Sequence, residues 1–239
     1  MESSGVIEIL LMGILYIVST PIGNLEDITL RAIRILRDVD IIICEDTRKT
    51  GLLLQKLKVL RKSSLISYYE GNEFKRIPEI INFLKSGKDI ALVSNAGMPT
   101  ISDPGFKLVR ECLNQDIKVV PLPGPSAALT ALVASGFSPD KFLFLGYLPK
   151  RVSKRLKLLE ICKNINLSYT LIIFESPKRV IKLLKEIKEV FGDIEIVIAR
   201  ELTKVFEEFL RGKTTEILKK TRKGFFKGEL TLLIRIPPK

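Results

Sequence analysis

Histidine is absent from the 239-residue chain. That excludes Ser-His-Asp and Cys-His catalysis and leaves any proton acceptor to be a carboxylate, a lysine, a tyrosine or water. The same absence weakens metal chemistry. Cysteine is scarce as well: Cys44, Cys112 and Cys162 are odd in number, widely spaced and without a C-x-x-C pair. Neither a disulfide framework nor a zinc site is expected, and the usage fits a reducing cytosol. Long apolar runs are missing too. The stretch over residues 6–18 is broken by Glu8, is too short to span a bilayer and lacks the basic flank of a signal peptide. A cytoplasmic protein with no membrane and no metal partner is therefore expected. Since residues 14–18 already make a good first strand, residues 1–11 read as a dispensable extension with Met12 an alternative start.

What is present is ordinary for a globular protein: 46% hydrophobic and 28% charged residues, enough for one large or two medium domains whose core carries the stability. Charge is the exception. Lysine and arginine number 39 against 27 acidic residues, a net +12, and residues 1–140 balance at 16 of each sign. Residues 141–239 carry 23 basic and 11 acidic side chains, so the whole excess sits in the C-terminal part. Such asymmetry is the footprint of a polyanion site on one half of the molecule. The alternative is a merely soluble, lysine-rich surface of the thermophile kind.

Short β-branched runs alternate with stretches of helical period. Strands are expected at 14–18, 41–44, 64–68, 90–94 and 117–122, and helices at 29–36, 51–57, 77–84, 106–113 and 127–133. This five-fold β-α alternation implies a parallel sheet covered on both faces, with its functional crevice at the carboxyl ends of the strands. Further on, strands are expected at 142–145, 170–174, 194–199, 205–210 and 230–236, and helices from 151, over 177–190 and from 214. The runs at 194–199 and 205–210 are too close for a crossover helix, so the second sheet is expected to contain antiparallel pairs. The fold class is α/β with two domains, 1–121 and 122–239.

Three Gly/Pro-rich loops follow strands of the first half. The loop 19–27 (STPIGNLED) is not a G-x-G-x-x-G fingerprint. It reads either as a ligand loop or as a turn at Gly23 with Asn24 or Asp27 capping the next helix. The loop 94–105 (SNAGMPTISDPG) is about twice the usual length of a strand-to-helix connection. Gly97 and Gly105 let backbone approach a ligand, while Asn95 and Asp103 offer side-chain oxygens; an ordinary turn that caps a helix is the competing reading. The loop 121–128 (PLPGPSAA) starts a helix, with Gly124, Ser126 and Ala127 leaving room beside free backbone N–H groups. The second strand ends in CEDTRKT (44–50). Alternation along the chain argues against a shared-proton pair of Glu45 and Asp46; Asp46 or Thr47 reads as a helix cap, and the competing reading is a carboxylate beside two cations that orients or deprotonates a hydroxyl.

The basic residues of the second half form three clusters: Lys150, Arg151, Lys154, Arg155 and Lys157; Lys178, Arg179, Lys182 and Lys185; and Lys219, Lys220, Arg222, Lys223 and Lys227. Arg151, Lys154 and Arg155 share one helical face. Any one cluster reads as a solvated face, and three together read as phosphate-backbone contacts that position RNA.

Eight blocks in order carry a resemblance: LYIVSTPIGNLEDIT (15–29), CEDTRKTGLLL (44–54), ALVSNAGMPTISDPG (91–105), VVPLPGPSAALTAL (119–132), FLGYLPK (144–150), FESPKR (174–179), ARELTK (199–204) and KGE (227–229). Together they resemble the tetrapyrrole methylase superfamily, the class III S-adenosylmethionine (SAM) methyltransferases. Within it the chain is similar, over residues 15–236, to the group that methylates a cytidine 2′-oxygen of small-subunit ribosomal RNA. The resemblance implies two α/β domains with SAM in the cleft between them, a homodimer, and a 16S rRNA substrate in its decoding region within the small ribosomal subunit. It implies SAM contacts from Pro21, Gly23, Asn95, Ala96, Gly97, Met98, Ser126, Ala127, Phe174, Ala199 and Leu202. RNA contacts are expected from Arg48, Lys150, Arg151, Lys154, Arg155, Lys178, Arg179 and Lys227. Where the family commonly has Ser-Asp-Ala-Gly, this chain has Ser94-Asn95-Ala96-Gly97, which keeps an acceptor and lacks the charge.

For such a transfer, Glu45, Asp46 and Asp103 are candidates to orient or deprotonate the hydroxyl, and Lys204 to stabilise a developing alkoxide. Two other readings stand beside this one. The first is the same fold acting on a tetrapyrrole or a modified histidine, against which the basic half speaks. The second is a basic ribosome-assembly factor without catalysis.

Overall fold

The computed structural model describes residues 12–60, 63–221 and 225–238. The expected extension over 1–11, and Arg222 and Lys223 of the third basic cluster, lie outside them. The chain divides into two compact units, the first ending at Ser126 and the second beginning at Ala127.

The first unit alternates β1 (Leu15–Val18), α1 (Leu30–Asp38), β2 (Ile41–Cys44), α2 (Thr47–Lys56), β3 (Ser64–Ser67), α3 (Glu73–Lys85), β4 (Ile90–Val93), α4 (Phe106–Asn114) and β5 (Val119–Leu122). Its five strands are all parallel, in the order β3-β2-β4-β1-β5. Strands β2 and β4 are buried along their whole length, as a sheet covered on both faces requires. Alternation assigns the faces. Leu15, Ile17, Ile41, Ile43, Ile90 and Leu92 pack with Ile80, Leu84, Leu108 and Cys112 of α3 and α4. Val18, Ile42, Cys44, Ala91 and Val93 pack on the other side with Ala32 and Leu36 of α1 and Leu54 of α2.

Two helices begin four residues earlier than periodicity predicts. The Asp46 carboxylate accepts from the Arg48 and Lys49 backbone N–H groups at 2.9 and 3.3 Å and so starts α2 at Thr47. Helix α3 begins at Glu73 and runs through Pro78, which forfeits one hydrogen bond near its N-terminal end.

The second unit holds α5 (Ala127–Ser135), β6 (Phe142–Tyr147), α6 (Val152–Lys163), β7 (Tyr169–Glu175), α7 (Val180–Phe191), β8 (Glu195–Arg200), β9 (Glu208–Lys213), α8 (Thr214–Lys220) and β10 (Leu230–Ile236). Its sheet is mixed, in the order β6-β7-β10-β8-β9, with only β6 and β7 parallel. The expected antiparallel pair is β8 with β9. Leu171, Ile173, Ile196, Ile198, Leu232 and Ile234 build one large core with the helices after β6. The opposite face carries Ile172, Val197 and Leu233, also buried, and α5 packs across β7, β8 and β10.

One strand is displaced from its expected place: β9 covers Glu208–Lys213 where the apolar run predicts 205–210. Val205 and Phe206 stand exposed on the preceding turn, in which Glu201 and Thr203 take positive φ. The Thr203 N–H donates to the Glu207 carboxylate at 2.6 Å, so a braced turn takes the residues that an apolar count gives to the strand. Among the described residues no helix is long and apolar enough to cross a membrane.

Candidate functional site

Strand order points to the site. From β1 the chain moves to β2 on one side of the sheet, and from β4 it moves to β5 on the other, so the direction switches where β1 and β4 lie side by side. Ligand crevices open at the carboxyl ends of strands at such a point. There Thr20 and Gly97 exchange backbone hydrogen bonds of 2.9 and 3.0 Å, which extends the β1–β4 pairing into the loops. Thr20 Oγ1 donates to the Ser94 carbonyl at 3.1 Å, Ser94 Oγ to the Gly97 carbonyl at 3.1 Å, and Ser19 Oγ to the Leu122 carbonyl at 3.3 Å. The three Gly/Pro-rich loops are thus tied together by buried hydroxyls. Asn95 and Ala96 remain exposed beside them, and Pro21 and Met98 half-exposed.

The acidic candidates separate by role. Glu45, just past β2, accepts from the Asn95 backbone N–H at 3.4 Å and from Asn95 Nδ2 at 3.2 Å. Asp103 lies on the same side. Burial foremost, then the Glu45 charge, pushes its carboxyl up to about 6, against a hydrogen bond from Ser94. A carboxylate with this proton affinity accepts a proton near neutrality far better than an ordinary aspartate. Asp46 has its oxygens taken by the α2 N-terminus and by the Arg48 guanidinium at 3.3 Å. The Arg48 hydrogen bonds hold the Asp46 carboxyl below the usual range, which makes it a poor base.

A cavity of about 320 Å³ joins Asp103 to Glu70, Glu73, Ser102, Gly105 and Lys107. Glu73 was not among the sequence candidates; it falls between the strand expected at 64–68 and the helix expected at 77–84. Only 4% of it is exposed. Its Oε1 accepts from Tyr68 Oη at 3.0 Å and from the Gly105 backbone N–H at 3.1 Å, and its Oε2 accepts from Lys107 Nζ at 2.9 Å. Burial pulls against its charge, yet these donors more than offset it and hold the carboxyl below the ordinary glutamate range.

In the second unit, Phe174 at the end of β7 makes edge contacts with Phe144 and Tyr147 at ring distances of 4.9 and 5.8 Å. The FLGYLPK and FESPKR blocks therefore share one strand end. Ala199 and Leu202 are buried. The Lys204 ammonium donates to Glu201 at 2.9 Å and to Glu229 at 2.8 Å, so two carboxylates hold it. Partial burial works against its charge, and those two hydrogen bonds outweigh it and raise its proton affinity. Gly228 completes this knot. Its φ is +79°, and a Cβ there would lie 2.1 Å from the Glu201 carboxylate.

Arg155 is buried. Only 4% of it is exposed; its guanidinium makes a bidentate pair with the equally buried Glu186 and donates to the Pro149 and Lys150 carbonyls at 2.8 and 3.1 Å. It therefore holds α6 on α7 instead of meeting phosphate. Arg179 is half-buried and divided between Glu175 and the Leu148 carbonyl, both at 3.0 Å. Lys150, Arg151, Lys154, Lys178 and Lys227 are exposed.

Residues 14–218 match the family of Tetrapyrrole (Corrin/Porphyrin) Methylases. The chain belongs to that family. It is 49% identical over 223 residues to the ribosomal RNA small subunit methyltransferase I of Thermotoga maritima, covering 93% of this chain and 98% of that protein. The protein of the same name from Bacillus subtilis is 47% identical over 223 residues, covering 93% and 75%. Among solved structures, a diphthine synthase superposes with a TM-score of 0.72 at 12% identity, covering 95% and 92% of the two chains. The uroporphyrin-III C-methyltransferase of Thermus thermophilus, in complex with S-adenosyl homocysteine, gives 0.65 at 15% identity, covering 92% and 97%. These two likenesses concern the fold.

Proposed function

We propose that the chain transfers a methyl group from SAM to a cytidine 2′-oxygen of 16S rRNA, acting as a homodimer on the small ribosomal subunit in the cytoplasm. One observation carries the chemistry: a half-buried Asp103 of raised proton affinity stands beside Glu45 at the switch point of a methylase-family sheet. The relatives named ribosomal RNA small subunit methyltransferase I support the acceptor, and the net charge of the second half agrees with a polyanion.

The residues present fit SAM. Asn95 and Ala96 are exposed, Asn95 is hydrogen-bonded to the Glu45 carboxylate, and Glu45 acts on Asp103, a set suited to an adenosyl amino acid that carries positive charge. Within the first unit, Pro21, Gly23 and the loop from Asn95 to Met98 would hold it, together with Ser126. When bound, SAM supplies a methyl carbon made electrophilic by its sulfonium. The methyl group would pass to the ribose oxygen with the thioether as leaving group, and Asp103 would take the 2′ proton. Glu45 keeps Asp103 basic and is itself held by Asn95. Positioning is the protein's larger contribution, and proton removal the second. The exposed Arg151, Lys154, Lys150, Lys178 and Lys227 place the RNA by its phosphates, and Arg48 and the half-buried Arg179 are assigned the same role.

The test is incubation with methyl-labelled SAM and unmodified small subunits, alongside deproteinised rRNA, followed by nucleoside digestion. Label in 2′-O-methylcytidine, from subunits above all, is the expected result. No label despite SAM binding would transfer the activity to another acceptor, and no SAM binding would leave an assembly factor.

A further inference from the structure

The loop that carries Asp103 is held in a conformation its own residues disfavour. Thr100 and Ser102 both take positive φ, at +74° and +63°. Gly105 follows at +131°, where a Cβ would lie 2.6 Å from Leu92 Cδ2 and 3.0 Å from Thr100 Cγ2. Non-glycine residues in this region are strained and persist only when the surroundings over-determine them. The surroundings here converge on one buried group. Glu73 receives the Gly105 N–H two residues beyond Asp103, with the rigid Pro104 between, while Tyr68 just past β3 and Lys107 of α4 fix the carboxylate. The same carboxylate lines the cavity that Asp103 enters.

We propose that Glu73 is a positioning residue for the methyl transfer: by anchoring Gly105 it holds Asp103 beside Glu45 at the strand ends. The inference rests on the reading of Asp103 as proton acceptor. Charge-assisted hydrogen bonds to a buried carboxylate are strong and directional, so this anchor is stiffer than a neutral side chain would give. The charged groups facing Asp103 are Glu45 past β2, Glu70 and Glu73 around the start of α3, and Lys107 of α4.

The experiment compares wild type, Glu73→Gln, Glu73→Ala and Asp103→Asn by single-turnover methyl transfer to small subunits between pH 5 and 8. Titration of SAM and amide exchange at Gly105 accompany it. Glu73→Gln keeps the acceptor oxygen for Tyr68 and Gly105 but loses the charge and the Lys107 pair, so the fold is preserved even if Glu73→Ala does not fold. The expected result for Glu73→Gln is a rate at neutral pH lower by about tenfold, an acid limb moved to lower pH as Asp103 becomes more solvated, faster exchange at Gly105, and SAM affinity within about twofold of wild type. A wild-type acid limb and rate in Glu73→Gln, with Asp103→Asn inactive, would overturn the positioning role alone. An Asp103→Asn protein with wild-type rate and profile would instead remove the proton acceptor, and the positioning role with it.

Discussion

At the scale of single residues, proton affinity separates the useful carboxylates from the structural ones. Asp103 is pushed up to about 6 by burial and by Glu45, and the transfer we propose needs its deprotonated form. Activity should therefore rise with pH through about 6 and fall below it, as the carboxyl protonates. Glu45→Gln removes the raising charge, so the acid limb of a pH–rate profile should move to lower pH. An unmoved limb would separate Glu45 from Asp103. Glu45 and Asp103 were legible as candidates because both follow strand ends, but their meeting was not, since 58 positions separate them in the chain. Arg155 shows the reverse. Its helical face matches that of Arg151 and Lys154, and only the partner Glu186, 31 residues on, reveals it as buried. Arg155→Ala should lower unfolding free energy by about 3–5 kcal/mol, since it leaves a buried carboxylate unpaired. Denaturant titration reads this directly.

At the scale of elements, the caps and loops decide what periodicity leaves open. Helix α2 starts at Thr47 because Asp46 satisfies its first N–H groups, a signal present in the sequence but compatible with a catalytic reading. The turn before β9 was not legible. Val205 and Phe206 look like strand residues, while the positive φ at Glu201 and Thr203 depends on partners at Glu207 and Glu229. Gly105 ends the loop 94–105, and its conformation leaves no place for a side chain. Gly105→Ala should destabilise by more than about 1 kcal/mol and reduce methyl transfer further than its loss of stability accounts for. Urea unfolding alongside single-turnover rates would check both parts.

At the scale of the whole molecule, the charge of the C-terminal half should appear as salt dependence. Binding of rRNA weakens with log salt in proportion to the phosphates neutralised, so Arg151→Ala and Lys154→Ala should each flatten the slope by about 0.7–0.9. Arg155→Ala should leave that slope unchanged, because its guanidinium faces Glu186. Filter binding across a salt series distinguishes these outcomes. By itself, the sequence determined the α/β alternation, the antiparallel pair of the second sheet, the loops at the strand ends and the asymmetry of charge. Those features rest on short-range periodicity and on composition, which the linear chain carries whole. Only the tertiary structure decided which charges are free, that Asp103 faces Glu45, and that Glu73 is an internal anchor. Burial and proton affinity arise from contacts between residues distant in the chain, and a side chain's own neighbours in sequence do not contain them.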